Sequence, residues 1–395
     1  MKKHLLTLVL ICCSNNLYSM EWSGNLSVQS RLFFDEPLAV NSQQHDQYLS
    51  VAARPELYHS WDDDTQSITF TPFVRLDQHD KERSHTDIHE LAWQRVFDHW
   101  ELKIGISKVY WGVTESQHLV DVINQTDLVE NTDGEDKLGQ PMIRASTEQD
   151  WGLLDVYLLP FFRERSFAGI EGRPRAYPVV DTDLVQYESS DEERHIDYAL
   201  RWLQAFDELE LALSYFNGTS REPLLTPTIY NGSTVLLPYY PLMTQYGLAA
   251  QATLGNWLWK LETIHRQWLN ENYNATTTGF EYTLVGLMES SADLGIITEY
   301  LYDNREQQAS SFLENDIMVG LRLALNDAQS TEALLGFIVD LDTDETIISL
   351  EASRRLGDNW KLELELRSFH HLDNNSLLSS LKQDDMLQID LACYF

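Results

Sequence analysis

The stretch "WKLELELRS" at 360–368 alternates without a fault: Trp360, Leu362, Leu364 and Leu366 fall on one side, Lys361, Glu363, Glu365 and Arg367 on the other. Successive side chains of a β-strand point to opposite faces, whereas a helix needs apolar residues three and four apart, so this spacing predicts a strand. The pattern recurs along the chain. "GNLSVQSRLFF" sets Leu26, Val28, Leu32 and Phe34 against Ser27, Gln29 and Arg31, and "YLSVAARPEL" sets Leu49, Val51, Ala53 and Leu57 against Ser50, Arg54 and Glu56. "IMVGLRLAL" does the same with Ile317, Val319, Leu321, Leu323 and Leu325. No helix-period segment of comparable quality, internal repeat or low-complexity linker interrupts the series.

Two architectures alternate in this way. A soluble sandwich or barrel turns the apolar face inward on short strands. A transmembrane barrel turns it to lipid, on strands of about 9–11 residues, and lines its lumen with the polar face. The strands here are of the longer kind, and their connections alternate short and long. Short ones lie at 60–66, 97–100, 206–210, 254–257, 289–293 and 356–360; longer polar ones lie at 35–47, 77–87, 111–140, 163–194, 216–243, 266–278 and 370–385. Five of the eleven Trp (Trp61, Trp100, Trp151, Trp257, Trp360) sit in or beside the short turns, as an aromatic girdle at one membrane interface requires. The expected fold is therefore all-β: a transmembrane antiparallel up-and-down barrel of about 18 strands. Sixteen is the fallback, because "LLDVYLLPFF" carries Pro160, which cannot donate to a ladder. Arg95 and Arg354 fall on the lipid-facing register near the short turns, within snorkelling reach of water.

The two ends of the chain agree with this. "MKKH", the apolar "LLTLVLICC" and the polar "SNNLYSM" form a secretory signal peptide over 1–19, cleaved after Ser19, and residues 20–395 form one barrel domain. Cys393 is then the one cysteine of the mature chain. In "IDLACYF", with Leu387 before it, Leu387, Ile389, Leu391, Cys393 and Phe395 share a face, and Gln388, Asp390 and Ala392 share the other. This is the expected closing strand, and its terminal Phe395 resembles the signal read by outer-membrane assembly machinery. The expected location is the outer membrane of a Gram-negative bacterium, among its lipid and lipopolysaccharide.

Charge excludes some partners. With 62 Asp+Glu against 28 Lys+Arg, a net charge of -34 disfavours nucleic acid and anionic membrane surfaces. Enzyme signatures are scarce. "HELAW" at 89–93 lacks the second His of a zinc-protease helix, and neither a nucleophile elbow nor a phosphate loop occurs. "DLDTDETIISLE" at 340–351 has calcium-loop acids, but Glu345 stands where the sharp turn wants Gly, so it reads as an acidic hairpin tip. No cofactor, no metal and no catalytic residue is expected.

The segment 100–140 says most about function. After the strand "WELKIGISKVYWG" comes "VTESQHLVDVINQTDLVENTDGEDKLGQ", a long connection with apolar positions of its own at Leu119, Val120, Val122, Ile123 and Leu128. "LKIG", "WGVTES" and "DVINQTDL" resemble the strand-plus-loop signature of a porin-like family of poorly characterised proteobacterial outer-membrane barrels. The likeness covers about thirty residues specifically and the whole chain by architecture. It extends distantly to 18-stranded alginate-export and substrate-specific porins. The chain departs from the pattern at Ser107 and Lys108, where the family has Arg-Gln, and at Gln125-Thr126, where it has a proline before Asp127. The resemblance implies an outer-membrane channel narrowed by the loop at 111–140.

The alternation brings Arg31, Arg54, Arg75, Lys361 and Arg367 to the lumen as a basic wall, opposite a loop carrying Asp121, Asp127, Glu130, Asp133, Glu135 and Asp136. Such an arrangement sets a transverse field across a constriction, or else its charges simply pair. The expected function is a porin passing small hydrophilic solutes, with a homo-oligomer left open. An export barrel for an acidic polysaccharide and an outer-membrane hydrolase are the alternatives, and a soluble secreted β protein a third. A gated siderophore receptor is disfavoured, because strand one leaves no room for a plug.

Overall fold

A computed structural model of the chain describes residues 20–38, 43–269, 271–374 and 376–395. The signal peptide expected over 1–19 lies outside the described residues. The strands, in chain order, are β1 Glu21–Phe33, β2 Gln47–Trp61, β3 Gln66–Asp77, β4 Thr86–Val96, β5 Trp100–Ser107, β6 Gln140–Gln149 and β7 Gly152–Leu159. They continue as β8 Gln186–Tyr187, β9 Asp197–Phe206, β10 Leu209–Thr219, β11 Leu224–Tyr230, β12 Ser233–Tyr240, β13 Leu242–Leu254 and β14 Trp257–Trp268. The last seven are β15 Glu271–Leu284, β16 Asp293–Asp303, β17 Asn315–Ala324, β18 Glu332–Asp340, β19 Thr346–Leu356, β20 Trp360–His370 and β21 Met386–Tyr394.

Eighteen of them form one antiparallel sheet in which each strand pairs with the next, and β21 returns to β1 to close the cylinder. Closure leaves no unpaired edge, the condition for a sheet to cross lipid. The strand pair β6–β7 decides the count: both strands are present and β7 stops at Leu159, so Pro160 falls outside the ladder. The other three strands make a small separate sheet, in which the β11–β12 hairpin turns at Asn231-Gly232, both with positive φ, and β8 runs parallel to β12.

Exposure separates the two architectures. Leu26, Val28, Leu49 and Val51 are 45–55% exposed, while Gln29, Arg31, Ser50 and Arg75 are 3–6% exposed. Apolar side chains point outward and polar ones inward, the inverse of a soluble barrel and the polarity of a transmembrane one. At the short-turn end, Trp100, Trp151, Trp257 and Trp360 are exposed, and Phe97 stacks on Trp100 at 3.9 Å. The two outward arginines reach this end: Arg95 lies 4.8 Å over the Phe97 ring, and Arg354 bonds Thr331 at 3.0 Å.

The seam is built as its alternation predicts. Val28 stands opposite Val51 on one side and Leu391 on the other, with Gln388 and Ala392 buried inside. Phe395 and Gly24 exchange two backbone hydrogen bonds of 3.1 Å, and Trp22 stacks on the Phe395 ring at 6.5 Å. Gly24, at φ 149°, is required there: a Cβ would stand 2.6 Å from the Arg54 carbonyl oxygen.

One expected connection is absent. The polar run 266–278 is not a long loop, because β14 continues to Trp268 and β15 begins at Glu271. Asn272 and Asn274 point outward and Tyr273 and Ala275 inward, so the polarity is inverted here, and β-branched Thr276, Thr277 and Thr278 fit a strand well. The acidic stretch at 340–351 is a hairpin tip, as expected: the Asp340 carboxylate accepts from Asp342 and Thr343 backbone N–H at 2.6 and 2.8 Å, and β19 follows from Thr346.

Candidate functional site: a loop across the lumen

The connection between β5 and β6, residues 108–139, folds into the barrel. Val120, Val122 and Ile123 are at most 3% exposed and pack with Trp111 against Tyr157, Phe216, Met243 and Ile264 of the wall. Each such aliphatic side chain contributes about 1.5–3 kcal/mol on burial. The wall makes room with small inward residues, Ala199, Ala212, Ala249 and Ala275, and with Gly247, where a Cβ would approach Val120 to 3.1 Å. Thus the loop packs on the side of the lumen formed by β6 to β15.

The tip is latched by carboxylates of β14 and β16. Glu262 on β14 accepts from the backbone N–H groups of Val113 and Thr114 at 2.6 and 3.1 Å, from the Thr114 hydroxyl at 2.8 Å, and from Val120 N–H at 3.2 Å. Glu299 on β16 accepts from Glu115 and Ser116 N–H at 2.8 and 2.9 Å and from the Ser116 hydroxyl at 2.6 Å. Both glutamates are 0% exposed, so successive loop N–H groups are the partners that keep these buried acids hydrogen-bonded. The "WGVTES" segment is therefore a nest of backbone donors for two carboxylates. Its glycine is obligatory, since a Cβ on Gly112 would lie 2.5 Å from His118 Nδ1 and 2.9 Å from Glu262 Oε1. His118 pairs with Glu135 at 3.0 Å; burial pulls its pKa down, but Glu135 and Glu262 outweigh that and hold it up at about 10.

The returning half of the loop meets the basic wall. Glu130 is gripped by Arg75 through two bonds of 2.6 and 2.7 Å, its backbone carbonyl accepts from Arg31, and Arg83 donates to the Val129 carbonyl at 2.8 Å. Burial pushes the Glu130 carboxyl up, yet Arg75, Arg83 and His85 bring it down to about 2. Arg367 bonds Asp133 at 2.9 Å, and Asn131 bonds Glu365 at 3.0 Å. Asp127 takes Ser166 at 2.5 Å and His85 at 3.2 Å, and Asp121 pairs with Lys137 at 3.3 Å.

Of the basic wall named from sequence, Arg31, Arg75 and Arg367 thus touch the loop directly. Lys361 pairs with its neighbour Glu363 at 2.7 Å, and exposed Arg54 has no ion-pair partner among the described residues. Arg75 and Arg367 pair with the loop acids Glu130 and Asp133, and Arg31 bonds the Glu130 backbone carbonyl, so wall and loop are in contact rather than two separated sheets of charge. Sequence reasoning missed Glu262, Glu299 and Arg83. The first two lie in "WKLETIH" and "GIITEYL", where an inward acid flanked by apolar residues is the one available signal.

Two polar chambers remain. The inner one, about 570 Å³, opens toward the short turns and is bounded by β1 to β4 and β17 to β21; Arg54, Lys361, Glu351 and Asp390 line it. Ten Asp or Glu and six Lys or Arg face it, which biases it toward cations. The outer one, about 170 Å³, opens toward the long loops between β13 and β16, beside Arg165, Arg266 and Arg305. Asp133 and Lys137 of the loop line both chambers.

Asp136 faces the inner chamber. Enclosure by the lumen, and then the carboxylates of Asp133 and Glu130, push its carboxyl up to about 7. A carboxyl raised in this way is neutral below that pH and anionic above it. The cation-to-anion permeability ratio should therefore rise between about pH 6 and pH 8 in reversal-potential measurements, and Asp136→Asn should flatten the rise.

No protein-family model matches the chain, and no curated protein is similar to it in sequence. Among solved structures, it is similar to OmpTΔL8, a loop L8 deletion mutant of an outer membrane protein of Vibrio cholerae, at 8% identity and a TM-score of 0.47, over 96% of this chain and 100% of that one. It is similar also to two multiply substituted mutants of the Rh. blastica porin, one at 11% identity and a TM-score of 0.43, the other at 11% and 0.44, each over 95% of this chain and 100% of that one.

Proposed function

We propose that this barrel is an outer-membrane porin of a Gram-negative bacterium, through which small hydrophilic solutes diffuse past the loop at 108–139. The observation that carries this reading is the pair of polar chambers on opposite sides of the loop, meeting at Asp133 and Lys137. A packed structural barrel has no use for two charged cavities, whereas a sieve needs a vestibule on each side of the segment that narrows it. The role is passage rather than catalysis. Lipid and lipopolysaccharide surround the apolar band, and Phe395, docked beside β1, is the feature offered to assembly machinery; a homo-oligomer is compatible with this surface.

The excess of acids in the inner chamber speaks against export of an acidic polysaccharide, which would be repelled there. Purified protein in planar lipid bilayers should give stepwise single-channel currents with a modest preference for cations. A correctly folded, heat-modifiable barrel that carries no current would overturn the reading. Arg54 is the exposed inner-chamber cation, so Arg54→Gln is expected to raise the cation-to-anion permeability ratio by about twofold.

A further inference from the structure

The outer chamber holds an arrangement that the loop and the inner chamber do not explain. Four arginines border it, and their counterions are unequally distributed. Arg221 is paired with Asp197 at 2.8 Å and also donates to the Ile123 carbonyl at 3.0 and 3.1 Å. Arg305 is forked onto Asp303 at 2.6 and 3.0 Å and lies 3.5 Å over the Tyr273 ring. Arg266 and Arg165 are left with a single carboxylate between them, that of Glu222. Arg266 donates to Gln245 at 2.7 Å and to Glu222 at 3.2 Å. Arg165 donates to Gln125 at 3.2 Å and bonds no carboxylate among the described residues, although Glu222 is its foremost charge neighbour.

Glu222 is the loose member. It sits in the connection between β10 and β11, its side chain is 41% exposed where that of Arg266 is 7%, and its bonds to Arg266 and Ser310 are 3.2 and 3.3 Å. Charge-assisted bonds are ordinarily about 2.7–2.9 Å, so these are long. Arg165, Arg266 and Arg305 all act on this one carboxylate. The rest of the chamber is apolar on one side, where Met243, Ile264, Tyr273 and Leu313 line it.

We propose that Arg165, Arg266 and Arg305 form a binding site for a small carboxylate with a compact apolar body, and that Glu222 occupies it as a built-in competitor which the ligand displaces. The guanidiniums supply fork-shaped donors for the incoming carboxylate, and Tyr273 with Ile264 receives the body. Cavities of about 150 Å³ accommodate a benzene-sized molecule, so a chamber of about 170 Å³ suits a solute of that size. Displacement is close to an exchange of one carboxylate for another, which keeps binding weak and reversible, as a permeating solute requires. The inference deepens the channel reading, since the ligand is then a solute captured on the long-loop side.

The test uses benzoate, benzamide and inorganic phosphate. In planar bilayers, benzoate added on the long-loop side should interrupt the single-channel current in a concentration-dependent way, and benzamide should not. Arg165→Met should weaken the block by about tenfold or more, and Glu222→Gln, which removes the competitor's charge, should strengthen it by roughly threefold or more. Equal block by benzamide, block by phosphate as strong as by benzoate, or weaker block in Glu222→Gln would overturn the proposal. Calorimetric titration of the detergent-solubilised barrel separates this from the channel reading. Benzoate binding that is lost in Arg165→Met sustains the site even if no current flows, and no heat from either protein refutes the site even if current flows.

Discussion

Replacing Glu262 and Glu299 together by Ala should open the pore: single-channel conductance is expected to rise by about twofold or more, with more frequent fluctuations. The two carboxylates receive seven hydrogen bonds from residues 113–120. Losing them leaves five backbone N–H groups of the loop without their acceptors, each costing about 1–3 kcal/mol if it stays buried. Lifting the tip away from β14 and β16 into water relieves that cost, and the apolar cluster around Ile123 then becomes the hinge of a mobile flap. The strands themselves keep their ladders, so heat-modifiable migration should be unaltered. Unchanged conductance in the double variant would show that the tip does not limit flow. The isosteric double variant to Gln should fall between, because an amide oxygen still accepts but without charge.

The second large effect is expected at Glu130. Its pair with Arg75 is buried, with side chains 6% and 10% exposed, and Arg31 and Arg83 donate to the adjacent backbone carbonyls. Glu130→Ala leaves three guanidiniums converging on a site with no carboxylate at its centre, and breaking a buried pair from one side costs about 3–5 kcal/mol. The loss should appear as faster amide exchange and proteolysis of 108–139, with barrel strands still protected. The acid dependence has a definite sign. Glu130 is held down at about 2, so its contribution is complete above the ordinary Glu range and is lost as the pH falls toward 2. A loop equally protected in Glu130→Ala and in the parent protein would refute this anchoring.

Much of the frame was legible because a barrel strand has a period of two and only two environments. Leu26, Val28 and Leu391 are outward and Gln29, Arg31 and Gln388 inward, as alternation alone predicts. The short turns were equally legible, since Trp100, Trp257 and Trp360 mark where strands enter the interface. The polar run at 266–278 misled because the alternation there is inverted, with Asn272 and Asn274 outward and Tyr273 and Ala275 inward, so it does not read as a lipid-facing strand. At the site, the loop acids and the arginines were found by face and sign, but not their pairing. Arg31 is buried against Gln388 rather than free in the lumen. Glu262 and Glu299 escaped notice because their role depends on backbone donors from a segment 142–184 residues away, which no local pattern encodes.

The order in which the chain is read has a consequence for assembly. The loop's two glutamate anchors and its partners Glu365 and Arg367 all follow it in sequence, the contacts spanning 142 to 235 residues, and β1 meets β21 across 361 residues in the bond from Gln29 to Asp390. Contacts of such long range form late, because the entropy of closing the intervening chain must be met before they stabilise anything. Residues 108–139 therefore emerge with only their preceding partners in place, among them Arg31, Arg75 and Arg83, and they gain the apolar cluster as β6, β7 and β10 follow. The nascent barrel is then expected to carry its loop attached at one wall, with the crossing to Glu262, Glu299 and Arg367 completed as the cylinder closes. Strand closure and the narrowing of the passage become one event, so an open-pored folding intermediate need not persist in the membrane.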